Sequence, residues 1–282
     1  MLIQSNNLEE NEKSIAMKDL NETNIIKEDD KWYYNDNTFV TNSHLKILME
    51  GGPEALEHYY KYGSEDKDAY SFGRAFHTLI LEPLEFNNRY FIFDDREICK
   101  EIGGARPTST NKYKEWKENL ITENVGKEII SLEDMNTLEK MEEKLYSIPQ
   151  VITLLNGTKK EVIYQGEING VKCKGKLDIV KPNQMVIDLK TTSKAPTPEQ
   201  FFKDFRNFNY DRQMAFYTKL ANVPNACIIA IQKTAPYTIG IYMLSKETID
   251  AGIAKYEYAL DLYKSQYRGN LDIDKFYYQG SI

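Results

Sequence analysis

In the stretch VIDLKTT, Val186 to Thr192, an aspartate and a lysine stand two residues apart behind an apolar run. On a strand, Asp188 and Lys190 project from one face while Met185, Ile187 and Leu189 project from the other. In the strand before it, Lys174, Lys176 and Asp178 share a face and Leu177 and Ile179 lie opposite. Two chemistries suit such a set. The charged residues form a solvated strand face with surface ion pairs, or the carboxylates hold a hard cation while the lysine serves a reacting phosphate and its attacking water. The three-residue pattern D-x-K is too short to choose between them.

The register of the hairpin adds information. If Pro182 to Gln184 form a three-residue loop, Lys181 pairs with Met185, the apolar Leu177 and Ile179 meet Leu189 and Ile187, and Asp178 falls across from Asp188. A four-residue loop beginning at Lys181 mixes apolar and polar side chains on both faces, because a slip by one residue turns every side chain over. The odd loop is therefore expected, with both aspartates on one sheet face. Directly opposed residues have Cβ atoms about 4.5–5.5 Å apart, so two carboxylates there need a positive charge between them. Mg²⁺, with Mn²⁺ as a substitute, meets that need with carboxylate oxygens and keeps waters for chemistry. The backbone carbonyl of Leu189, between the two motif residues, is a further candidate ligand. Glu161, at the start of the first strand, is another, although a glutamate there is commonly just solvated.

The elements that must position these residues can be read from the pattern. Residues 1–30 lack apolar periodicity and carry −5 of the total −7 charge, which reads as an acidic mobile tail. Thr41 or Ser43 caps a helix that breaks at Gly51-Gly52-Pro53 and restarts. AYSFGRAFHTLILEP has apolar residues at helical spacing and stops at Pro83. Helices are expected near Lys112–Ile121 and Ser131–Ser147. Three strands follow from Lys160, turning at Glu167–Gly170 and Lys181–Gln184. A helical stretch split near Asn209, two more strands (NACIIAIQK and YTIGIYML) and a closing helix complete a single α/β domain over residues 31–282.

Composition narrows the setting. Apolar residues at 41% and charged residues at 28% describe an ordinary soluble chain. The longest strongly apolar run, ACIIAI, is far short of the roughly 20 residues a membrane span needs. No apolar leader opens the sequence, and Cys99, Cys173 and Cys227 are too scattered for a disulfide framework or a zinc or iron–sulfur site. A cytoplasmic location is expected. Outside the first 30 residues the net charge is only −2, so a local basic groove for DNA is not excluded.

Taken together, GRAFHTLILEP, GVKCKGKLDIV, VIDLKTT and QMAFY resemble the PD-(D/E)XK nuclease superfamily, in particular its RecE-like and RecB-type exonuclease branch. The resemblance covers most of residues 31–282. A helical histidine, an aspartate, a D-x-K and a Q-x-x-x-Y recur in that branch in this order, and they fall here on His77, Asp178, Asp188, Lys190, Gln213 and Tyr217. With three scattered cysteines the chain lacks the four-cysteine cluster of some RecB-type relatives. The match therefore moves toward the RecE-like, phage-recombination side, whose short opening segment YYNDNTFVTNSHLKIL also resembles.

The resemblance implies an α/β restriction-endonuclease-like core with a central mixed sheet flanked by helices. It implies Mg²⁺ on Asp178 and Asp188, with His77 and Glu161 completing the shell, Lys190 serving the water, and Gln213 reaching the catalytic end. Tyr217 would support Gln213 or meet the DNA backbone; Thr191, Thr192, Lys174 and Lys176 are candidate phosphate contacts. The activity implied is resection of double-stranded DNA ends, 5′ to 3′, by a homo-oligomer (trimer or tetramer) that works with a single-strand annealing protein. A structure- or site-specific endonuclease on the same core, and a non-catalytic DNA-binding scaffold, are the alternatives. Arginines are few near the motifs, which leaves recognition of the DNA end without assigned residues.

Overall fold

A computed structural model describes residues 25–26, 30–63 and 68–267; most of the expected acidic tail lies outside the described residues. A six-stranded sheet organises the chain, in the order β1-β4-β5-β6-β7-β8. These strands are β1 (Ile25–Ile26), β4 (Lys159–Ile168), β5 (Val171–Lys181), β6 (Met185–Thr192), β7 (Asn225–Gln232) and β8 (Ile239–Met243). Among the described strands of this sheet, only the β6–β7 pair is parallel. A parallel neighbour requires a crossover, and helices α9 (Pro198–Asn207) and α10 (Tyr210–Ala221) supply it. A short strand at Ile25–Ile26, within the span expected as tail, pairs with Tyr164 and Ile163.

Apolar cores cover both faces. On one face α10, α2 (Asn42–Tyr62) and α11 (Lys246–Leu262) cover a core that includes Leu177, Val186, Ile228 and Phe216. On the other, α3 (Asp68–Leu81), α7 (Leu132–Tyr146) and α8 (Pro149–Leu155) cover Ile179, Ile187, Leu189 and Ile229. The remaining helices, α1 (Asp30–Asn35), α4 (Phe86–Arg89), α5 (Arg96–Ile102) and α6 (Asn111–Glu123), lie in the first half of the chain. So does a small parallel sheet of β2 (Tyr90–Phe93) and β3 (Glu128–Ser131). These two strands, α5 and α8 are not among the expected elements, because four to seven residues carry too little periodicity to announce themselves.

Helix α2 shows how local chemistry sets a boundary. Of the two candidate caps Thr41 is used: its hydroxyl accepts from the His44 N–H, while His44 Nδ1 accepts from the Thr41 N–H at 3.3 Å. The Tyr60 hydroxyl, at 3.2 Å, shares the same ring nitrogen. The expected break occurs at Gly52, whose φ of 76° only glycine adopts freely.

Protonating His44 would convert that acceptor into a donor and lose the Thr41 N–H, although the Tyr60 hydroxyl could turn to accept. Burial, and then the Lys174 ammonium, push its pKa down to about 4. Between that value and the usual 6.5 the unfolded chain takes up a proton that the folded chain refuses, so stability is full above about pH 6.5 and lost as pH falls toward 4. Thermal melts of the wild type should therefore decline over that window, and His44→Asn, which keeps an acceptor without a titrating group, should flatten the decline. An equal slope in both proteins would remove His44 as its source.

Candidate active site

The hairpin register is the one expected from the odd loop: Ile179 pairs with Ile187, Val180 with Val186, and Lys181 with Met185, around a turn closed by the Gln184 N–H to the Lys181 carbonyl. The pairing then stops. Beyond Ile187, β6 keeps β7 as its partner through Thr192 but leaves β5. The edge of β5 that it vacates is occupied at Cys173 by Val40, whose backbone bonds to Lys172 and Lys174. A V-shaped split thus opens between β5 and β6, with Asp178 and Asp188 at its apex.

Side-chain alternation in β5 changes at this point. Leu177 lies in the core under α10, whereas Ile179 lies in the core under α3. The expectation that Leu177 and Ile179 share a face, and with it the picture of both aspartates on one flat face, is therefore corrected. Asp178 turns toward α3 and Asp188 toward α10, and they converge because the strands part. Across from Asp178 on β4, Glu161 has φ 51°, a conformation that costs a non-glycine residue about 1–3 kcal/mol and is concentrated at functional sites.

Asp178 collects the groups on the α3 side. Its Oδ2 accepts from the Leu189 N–H at 2.9 Å, filling the gap where a ladder bond is missing, and lies 3.6 Å from His77 Nδ1. His77 is placed by α3, whose Ala75, Phe76, Leu79 and Ile80 are buried. The Lys160 ammonium, donating to the Ile80 carbonyl at 2.8 Å, ties that helix to β4. One ligand atom from each of His77, Glu161 and Asp178 lies within 4.8 Å of the others. Glu161 is paired with Lys176 at 2.7 Å.

Asp188 is only 1% exposed and is held from the α10 side. Gln213 donates to its Oδ1 at 3.0 Å, and the Lys190 ammonium sits 2.7 Å from Oδ2. Three carboxylates thus converge with two ammoniums, and the charges are visibly strained. Burial, and next the Asp188 charge, push the Asp178 carboxyl up to about 7. Burial and Asp178 raise Glu161 as well. Burial works against the Lys190 charge, but Asp188 and Asp178 outweigh it and hold its pKa above the usual lysine value. Burial and the Lys190 charge hold His77 below the ordinary histidine value, as a neutral imidazole able to donate a lone pair. An oxygen–nitrogen donor set with surplus negative charge fits a hard divalent cation.

The other expected site residues divide. Thr191 and Tyr217 line the same cleft, of about 1160 Å³, and Tyr217 packs where Gly175 leaves room for it. The Thr192 hydroxyl donates to the Lys194 carbonyl at 2.7 Å, so it is spent internally rather than offered to a phosphate. Lys174 is a correction. It is 0% exposed, donates to the Asp36 carbonyl at 2.6 Å and lies 4.4 Å from the Trp32 ring centroid, so it clamps the opening segment to β5 instead of meeting DNA. The sequence reading missed Tyr210, whose ring lies 5.0 Å from Lys190 Nζ. The available signal was its position three residues before Gln213, one turn away on the same helix.

Residues 41–272 match the family described as a PDDEXK-like domain of unknown function (DUF3799). The fold is similar to that of a protein from Eubacterium rectale provisionally described as an exonuclease, with a TM-score of 0.57 and 14% identity over 91% of this chain and 96% of that one. A phage-related exonuclease from Haemophilus somnus 129PT matches at a TM-score of 0.31 and 17% identity, over 63% of this chain and 95% of that one, a likeness too slight to bear on the fold. None of the curated proteins compared matches the chain significantly. Among the described residues, no helix is long and apolar enough to cross a membrane.

Proposed function

The chain belongs to the DUF3799 family of PDDEXK-like domains, with a restriction-endonuclease-like fold that supports a nuclease, and from that premise we propose a metal-dependent exodeoxyribonuclease that resects duplex DNA ends. The observation that carries the proposal is the split between β5 and β6, which gathers His77, Glu161, Asp178 and Lys190 at one cleft with Asp188 buried behind Lys190. His77, Glu161 and Asp178 would hold Mg²⁺, joined by Asp188 and the Leu189 carbonyl. When bound, the cation offsets charge developing on the scissile phosphate and makes water more acidic.

The chain's own residues do the rest. Lys190 keeps its proton beside Asp188, so it acts as a donor that orients water and stabilises phosphate charge, not as a base. Gln213 fixes the Asp188 carboxylate, and through it the lysine. Leu189 N–H fixes Asp178. Lys176 and Thr191, both on the cleft wall, would meet the DNA backbone.

From the RecE-like resemblance follow a 5′ to 3′ direction, a single-strand annealing partner and a ring-forming trimer or tetramer, the last readable by light scattering. The deciding experiment is digestion with Mg²⁺ of linear duplexes labelled at the 5′ or the 3′ end, beside closed circular DNA of the same sequence. Early loss of the 5′ label with the circle intact is expected. Nicking of the circle at a rate comparable to the linear form would replace the exonuclease with an endonuclease, and no cleavage of either would leave a scaffold.

A further inference from the structure

Two aromatic rings in the cleft have no part in the chemistry above. Phe208 follows the last turn of α9 and Tyr210 begins α10, with Asn209 between them at φ 52°. The Lys255 ammonium donates to the Asn209 side chain at 2.9 Å and steadies this junction. The turn lays the rings on one another, with centroids 5.6 Å apart and planes 26° from parallel. Tyr210 is backed by Phe201 and Phe205, so the inner ring is held in place. Phe208 is 50% exposed at the cleft wall. A cation stands near each ring: Lys190 Nζ is 5.0 Å from the Tyr210 centroid, and Lys46 Nζ is 5.9 Å from that of Phe208.

Core packing accounts for Tyr210 but not for Phe208, whose ring is half in water. A single exposed apolar residue is ordinary. This one is stacked on Tyr210, lines the cleft that holds Lys190, and has an ammonium beside it. An exposed aromatic surface next to a phosphate-binding cation is what a nucleobase and its own backbone require.

We infer that Phe208 is the stacking platform for the nucleobase at the DNA terminus, with Lys46 meeting that nucleotide's phosphate. The inference rests on the nuclease reading and adds to it a residue that determines substrate form. Because every base presents a π-face, the platform tolerates any sequence but requires that a base be present.

The test compares duplexes with a normal terminal nucleotide and with an abasic one. Wild type should cut the abasic end about 10-fold more slowly, within the range that loss of one base–aromatic stack produces. Phe208→Ala should lower the rate on the normal end and bring the two ends together, and Phe208→Tyr should restore the difference. Phe202→Ala, on α9, exposed and not lining the cleft, should keep it. Equal wild-type rates on both ends would overturn the inference.

A second readout needs no cleavage: quenching of a terminal 2-aminopurine by metal-free protein should occur with wild type and vanish with Phe208→Ala. Quenching without any cleavage would sink the nuclease reading and keep the platform. Cleavage without quenching would do the reverse.

Discussion

Asp188→Asn is expected to lower DNA hydrolysis about a thousandfold, since loss of several kcal/mol of metal-assisted charge stabilisation costs a factor of ten for each 1.36 kcal/mol. The asparagine has nearly the same shape and can still accept from Gln213, so α10 should stay in place. What changes is charge. The Lys190 ammonium loses the carboxylate 2.7 Å away and is left buried beside Asp178 alone. That imbalance repels a cation, so Mn²⁺ binding followed by calorimetry should weaken even if Asp188 is not itself a ligand. Metal-free DNA binding should survive or tighten, because one fewer negative charge lies beneath the cleft wall opposite the phosphates. Wild-type cleavage by this variant would end the proposed mechanism and leave a DNA-binding scaffold.

The apex of the hairpin was legible in the sequence because a strand's two-residue period leaves one register that separates apolar from polar side chains. Pairing from Ile179 to Met185 follows that rule. The rule assumes that both strands stay in one sheet, and this is where it stops working. The parting of β6 from β5, the insertion of Val40 and the shift that sends Leu177 and Ile179 to different cores are tertiary events, with no periodic signal to announce them. The same limit explains Lys174. Strand period could not show that Trp32 and Asp36, some 140 residues earlier in the chain, would cover it.

The residues with chemistry were easier than their surroundings. His77, Asp178, Lys190 and Gln213 line one cleft, with Asp188 buried behind Lys190 and Gln213, each on the kind of element expected for it. All members of the compact donor set were among the expected ligands, but which of them would lie closest together was not readable. Direct opposition pointed to Asp178 with Asp188, whereas the compact donor set is His77, Glu161 and Asp178. Glu161 joins it through a left-handed backbone conformation that no pattern of residue types encodes for a glutamate. Tyr210 could have been found from its spacing to Gln213, but Phe208 gave no signal, because its value comes from the junction between two helices and not from spacing along one.

Lys190→Ala separates the role of the ammonium from that of the cation it stands beside. Cleavage should fall by about 10²–10³, the cost of losing one positioned donor to a charged transition state. Stability should fall too, because Asp188, 1% exposed, would keep only Gln213. The cavity would gain net negative charge, with Asp178, Asp188 and Glu161 now balanced by Lys176 alone among the groups described at the site. A divalent cation should therefore bind more tightly than in wild type, while metal-free DNA binding weakens slightly for want of a positive charge near the phosphates, at a fixed salt concentration. Asp188→Asn and Lys190→Ala would then be alike in activity and opposite in affinity for both metal and DNA. Only an electrostatic division of labour between the aspartate and the lysine produces that crossing. Two variants that lost activity and metal binding together would instead indicate general collapse of the split between β5 and β6, and the roles assigned to its individual residues would fall with it.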